Sequence, residues 1–126
     1  MEISFNHIAL SVKNVGTSIE FYKSVFGFPE IENTASNSET RWLAFNDNRQ
    51  IHLIPRPEAE IKINKAVHFA FSTDNVEEFV SHLNNLGISF TDWTDNPQTI
   101  FVRNDGIKQV YFQDPDGYWI EVNNDI

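Results

Sequence analysis

The 126-residue chain has no cysteine, which excludes disulfides and thiolate metal sites. Basic residues are scarce. Nine Lys and Arg against eighteen Asp and Glu leave a formal net charge of −9. Such a chain, with its few cations scattered, is repelled by phosphate backbones and anionic lipid, so nucleic acid and membrane surfaces are poor partners. No apolar run approaches transmembrane length, and the opening Met1-Glu2-Ile3-Ser4-Phe5-Asn6-His7 lacks the basic and apolar regions of a signal peptide. A cytoplasmic protein is expected. What is present is core material: 40% apolar residues, with eleven Phe and three Trp, sufficient for one globular domain.

The chain reads as one unit written twice. Aligning His7 with His68 places Ile8-Ala9-Leu10-Ser11 on Phe69-Ala70-Phe71-Ser72, and Asn14-Val15 on Asn75-Val76. Helical periodicity follows in both halves, through Ile19, Tyr22, Val25 and Phe26 and through Val76, Phe79, Val80 and Leu83. Thr17 or Ser18 is the expected cap of the first helix and Asp74 of the second, with Gly27 and Gly87 as stops. Strands are expected over Phe5–Val12, Pro29–Asn37, Arg41–Asn46 and Gln50–Ile54. Their counterparts are Ala66–Ser72, Ile88–Trp93, Lys108–Gln113 and Tyr118–Asn123. Turns at Asp47-Asn48 and Asp114-Pro115-Asp116-Gly117 close the last hairpin of each half. The offset between halves grows from 61 at His68 to 69 at Glu121, which assigns a longer excursion to Asp95–Gly106. The expected fold is α+β: two βαβββ modules, residues 1–54 and 66–126, joined by a linker over 55–65, their mixed sheets curving around a cleft within a single domain.

Four residues stand out against this pattern. His7, His52, His68 and Glu121 each sit within an expected strand, the last three between apolar neighbours and His7 before Ile8, and pleating turns each away from the aliphatic face. A lone strand histidine is usually a half-exposed polar residue. Here His7 and His68 occupy equivalent positions of the repeats, and so do His52 and Glu121. Three imidazoles and one carboxylate suit one divalent ion among Zn, Fe, Ni, Co and Mn. His82, within the second helix, reads as a surface residue.

Several segments carry a family resemblance. They are Asn6-His7-Ile8-Ala9-Leu10-Ser11-Val12, Ser18-Ile19-Glu20-Phe21-Tyr22, Phe26-Gly27-Phe28, Val67-His68-Phe69-Ala70-Phe71 and Asp114-Pro115-Asp116-Gly117-Tyr118-Trp119-Ile120-Glu121. The chain resembles the vicinal oxygen chelate (VOC) superfamily, also called glyoxalase/bleomycin resistance/dioxygenase. The resemblance implies a divalent metal at the base of the cleft, held by His7, His68 and Glu121, with His52 where glyoxalase I enzymes usually place a second carboxylate. It implies a metal that binds vicinal oxygens of a small α-oxygenated substrate, and a possible homodimer. Ser11 and Arg56 stand where glutathione-dependent glyoxalases carry Arg and Asn, which argues against glutathione. Ala9 stands where fosfomycin thiol transferases usually carry Thr.

By strand alternation Gln109, Tyr111, Trp42 and Trp119 face the cleft as candidate substrate contacts, with Arg56 as a candidate anion contact; Arg41, Arg103 and Lys108 read singly as surface charge. Glu121 and Tyr111 are the candidate proton carriers. The expected activity is that of a metal-dependent lyase or isomerase of glyoxalase type. The rival readings are a non-catalytic, bleomycin-resistance-like binding protein and an Fe(II) dioxygenase.

Overall fold

The structure, a computed structural model, describes residues 1–126. The chain divides into two compact units, Met1–Ile61 and Lys62–Ile126. The first contains β1 (His7–Val12), α1 (Val15–Phe26), β2 (Glu30–Ile31), β3 (Arg41–Ala44) and β4 (Gln50–Pro55). The second repeats the order with β5 (His68–Ser72), α2 (Val76–Asn85), β6 (Phe101–Val102), β7 (Lys108–Gln113) and β8 (Trp119–Asn123). Each is a βαβββ module with a four-stranded mixed sheet, in the orders β1-β4-β3-β2 and β5-β8-β7-β6. The first and last strands of each module pair in parallel, and the remaining pairs are antiparallel. The α+β class and the two-module plan expected from the sequence are what the structure shows.

In both modules one sheet face is covered by the helix. In the first, α1 lies against β3 and β4. Ile19, Tyr22, Leu43, Ile51 and Leu53 are sealed from solvent there. Val76, Leu83, Val110, Phe112 and Ile120 do the same in the second module. Each such side chain contributes about 1.5–3 kcal/mol by leaving water. The alternation that buries Ile51 and Leu53 turns His52, between them, to the other face.

Four local expectations are corrected. The cap of α1 is Asn14, not Thr17 or Ser18: its Oδ1 accepts the Thr17 amide at 3.0 Å. The cap of α2 is Asn75, not Asp74, and accepts the Glu78 amide at 2.9 Å. In both helices an extended Asn backbone lets the amide oxygen reach the third amide of the first turn. The strand expected over Pro29–Asn37 shortens to Glu30–Ile31, because Asn33 Oδ1 accepts the Ala35 and Ser36 amides and bends the chain. Ile88–Trp93 is no strand. Only Thr91 bridges β7, and the second strand of this module is β6, inside the excursion. The cause is Asp92, whose buried carboxylate gathers the amides of Thr94 and Asn96 and curls the chain out of the sheet plane.

The expected turn before β8 is present. The Gly117 amide donates to Asp114 O at 3.0 Å, while Asp114 Oδ1 accepts the amides of Asp116 and Tyr118. Gly27 ends α1 at φ 72° with nothing within 4 Å of a Cβ built there. Gly27→Ala therefore meets only backbone strain. It is expected to destabilise the protein by about 1–2 kcal/mol, read from urea denaturation.

Candidate functional site

The register preserves the repeat at the side chains that matter. His52 is the Cα partner of Ala9 on β1 and Trp42 on β3. Glu121 is the partner of Ala70 on β5 and Tyr111 on β7. In each module, then, a polar residue at the centre of the last strand lies between an alanine and an aromatic ring. The alanines leave its side chain room.

In the first module this builds a column of rings. His52 stacks on Trp42 with centroids 4.1 Å apart and on His7 at 4.0 Å, with interplanar angles of 4° and 16°. His52 Nε2 lies 2.8 Å from Gln50 Oε1, which leaves Nδ1 as its second nitrogen. Desolvation, and then the neighbouring His7, push the His52 imidazole below its ordinary pKa. His7 Nδ1 lies 2.6 Å from Asn6 Oδ1, so its Nε2 carries the lone pair. Arg56 is exposed and donates to the Pro55 carbonyl.

In the second module the same positions build a denser cluster. Glu121 is buried. Its Oε1 accepts the Tyr111 hydroxyl at 2.7 Å, and its Oε2 accepts Gln109 Nε2 at 3.0 Å and Asn123 Nδ2 at 2.6 Å. His68 Nε2 lies 3.2 Å from Oε1. On the other side of that ring, Nδ1 donates to the Lys65 carbonyl at 2.9 Å. The proton of a neutral His68 is therefore on Nδ1, and the Nε2 lone pair faces a carboxylate oxygen. Two lone pairs at that distance repel unless positive charge is shared between them, either a proton on Nε2 or a bound cation. The donor chemistry fits a divalent metal.

Burial, the largest single influence, raises the Glu121 pKa. The bonds from Asn123, Tyr111 and Gln109 and the neighbouring His68 together outweigh it, and the carboxyl lies below its ordinary 4.5. Burial raises the Tyr111 phenol, and its bond to Glu121 raises it further, so Tyr111 is a hydrogen-bond donor at neutral pH. Because the native carboxyl binds its proton less tightly than the unfolded one, its stabilisation is complete above the unfolded value and is lost as pH falls through the lower native value. The urea midpoint should therefore drop on acidification below pH 4.5. Asn123→Ala, by removing one of the bonds that hold the pKa down, should make that drop shallower.

The structure brings His7 to His52, and His68 to Glu121, Tyr111 and Gln109. Within either module, no three His, Asp or Glu side chains gather as a metal-binding group. Trp42 belongs to the first column, and Trp119 lies beside the second cluster under the Lys65 ammonium. Arg41, Arg103 and Lys108 are each engaged by a carboxylate: Glu30, Asp105 and Glu77 respectively. Sequence reasoning missed Asn123, Lys65 and Trp93. Asn123 was legible, since it follows Glu121 by two residues and shares its face. Lys65 and Trp93 carried no periodic signal, because both act from loops.

With the fold and these clusters in view, the comparisons give the class. A family model described as Glyoxalase/Bleomycin resistance protein/Dioxygenase superfamily matches residues 4–122, and the chain belongs to that superfamily. It is 32% identical over 130 residues to "Glyoxylase I 4" of Arabidopsis thaliana, covering 96% of this chain and 70% of that protein. It is 31% identical over 123 residues to "Metallothiol transferase FosB" of Staphylococcus haemolyticus, covering 94% and 81%. Among solved structures, the fosfomycin resistance protein FosX of Listeria monocytogenes shares the fold with a TM-score of 0.80 at 21% identity, covering 100% of this chain and 96% of that one. No helix is long and apolar enough to cross a membrane.

Proposed function

We propose that the protein is a metal-dependent lyase or isomerase of glyoxalase type, acting on a small α-oxygenated substrate. The observation that carries this reading is the His68–Glu121 contact, an imidazole nitrogen 3.2 Å from a buried carboxylate oxygen that a ring of donors holds in place. His7, His52, His68 and Glu121 are the proposed ligands of one divalent ion drawn from Zn, Ni, Co, Mn and Fe. When bound, such an ion supplies positive charge where oxygen charge develops on the substrate. Glu121, ionised at neutral pH, is the carboxylate available to receive a proton, and Tyr111 is the hydroxyl available to hold one in place. Gln109 and Asn123 keep the carboxylate oriented. Trp42, Gln109, Trp119 and Arg56 are the proposed substrate contacts, and a homodimer in the cytoplasm is the proposed working form.

The test is elemental analysis of protein purified without a histidine tag, followed by turnover of α-ketoaldehyde hemithioacetals made from several thiols. Metal near one equivalent and lyase activity are expected. Protein that neither contains a divalent ion nor binds one on dialysis would sink the proposal. A second reading, thiol transfer to fosfomycin, is favoured by the identity with the metallothiol transferase. Mass spectrometry of a thiol–fosfomycin adduct separates the two.

A further inference from the structure

Lys65 supplies none of the proposed ligands, yet it is the most heavily engaged cation in the second module. Its side chain is largely buried, with 15% exposed. It reaches Asp95 Oδ1 at 2.7 Å, Asp92 O at 2.9 Å, Trp93 O at 3.1 Å and Thr91 Oγ1 at 3.3 Å. It also lies over three rings: Trp119 at 4.5 Å, Tyr111 at 5.3 Å and Trp93 at 5.7 Å. Four oxygens exceed the three protons an ammonium can donate, so this charge is committed to the protein and has no capacity left for an anionic substrate.

The same residue touches the candidate site through its backbone. The Lys65 carbonyl receives the Nδ1 proton of His68 and so directs Nε2 toward Glu121. In the first module the corresponding proton goes to the side chain of the adjacent Asn6, with no lysine involved. One residue thus joins three things: the ring orientation of His68, the turn from Thr91 to Asp95, and the wall made by Trp93, Tyr111 and Trp119. The turn has few other ties to the sheet, chiefly the bridge of Thr91 to Tyr111.

We infer that Lys65 is a positioning residue: its ammonium pins the 91–95 turn and the Trp93 ring in place, and that anchorage holds the Lys65 carbonyl where it sets the tautomer and orientation of His68. Its consequence for metal binding rests on the function proposed above, but the anchorage does not.

The experiment uses metal-free full-length protein labelled with 5-fluorotryptophan and with ¹⁵N-histidine, at mildly alkaline pH. In the unaltered protein His68 should show a single Nδ1–H tautomer. In Lys65→Met, which keeps the aliphatic stem and removes the charge, the His68 nitrogen shifts should move toward tautomer averaging. The Trp93 and Trp119 fluorine signals should move as well, while Trp42 in the other module stays put. Asp95→Asn, at a side chain 73% exposed and so without a part in the core, should shift the same signals less and covers the case in which Lys65→Met fails to fold. Unchanged His68 shifts in the folded variants overturn the inference. In a parallel titration, cobalt affinity of Lys65→Met should fall, by no more than the roughly 10- to 100-fold that losing an outer partner of a ligand costs, since the carbonyl itself remains. Shifted His68 signals in a protein that binds no cobalt even unaltered would support the tether and overturn only the metal proposal.

Discussion

Glu121→Gln is expected to lower the stability of the metal-free protein by about 2 kcal/mol, the usual cost of stranding a buried polar group. The carboxylate accepts on both oxygens: Tyr111 on one, Gln109 and Asn123 on the other. A glutamine has one acceptor oxygen and one amide that only donates. Either orientation strands at least one donor in a site shielded from water, although an amide at the Oε1 position gains His68 Nε2 as an acceptor. With the amide toward Tyr111, the hydroxyl loses its acceptor; with the amide toward Gln109 and Asn123, two do. Urea denaturation at neutral pH reads the loss. The acid drop below pH 4.5 should also shrink, because the variant removes the titrating group itself. A variant as stable as the parent would mean that the donor ring does not hold this carboxylate in solution.

His68→Ala is expected to weaken divalent metal binding by more than the roughly 10- to 100-fold that an outer partner costs, because it removes a proposed ligand outright. Its ring is the one whose lone pair is already aimed, by the Lys65 carbonyl behind it, at the oxygen that would share the ion. His7→Ala should also weaken binding, as the loss of another proposed ligand whose Nδ1 is engaged by Asn6. Loss of affinity is also expected for His52→Ala, but a smaller one, because His52 Nε2 is engaged by Gln50 and the ring is clamped between Trp42 and His7. Isothermal titration with cobalt or zinc measures all three. Equal affinity in the parent and His68→Ala would remove the ligand role.

Both predictions rest on residues legible in the amino-acid sequence. Alternation singled out His7, His52, His68, Glu121 and Tyr111, and the repeat paired the first four. The structure places His52 and Glu121 in matching registers, each across from an alanine and an aromatic. The helices were legible from their apolar periodicity, but their caps were misassigned. Thr17, Ser18 and Asp74 suit a cap by residue type, yet Asn14 and Asn75 stand at the extended residue before each first turn, where a side-chain oxygen can reach the third amide. The strand expected at Ile88–Trp93 failed for a related reason. Its apolar residues suited a sheet, but Asp92 offered its neighbours' amides a closer acceptor.

The sequence by itself determined the two-module plan, the apolar face of each sheet and the residue types turned to the other face, because those depend on periods of two and 3.6 residues along the chain. Tertiary structure decided what those residues experience. The donors on Glu121 come from β7 and β8, the partner of His68 Nδ1 from the segment before β5, and the ammonium behind it is held by a turn thirty residues away in sequence. Hydrogen bonds require atoms within about 3 Å of one another, and only strand register and loop path bring such atoms together.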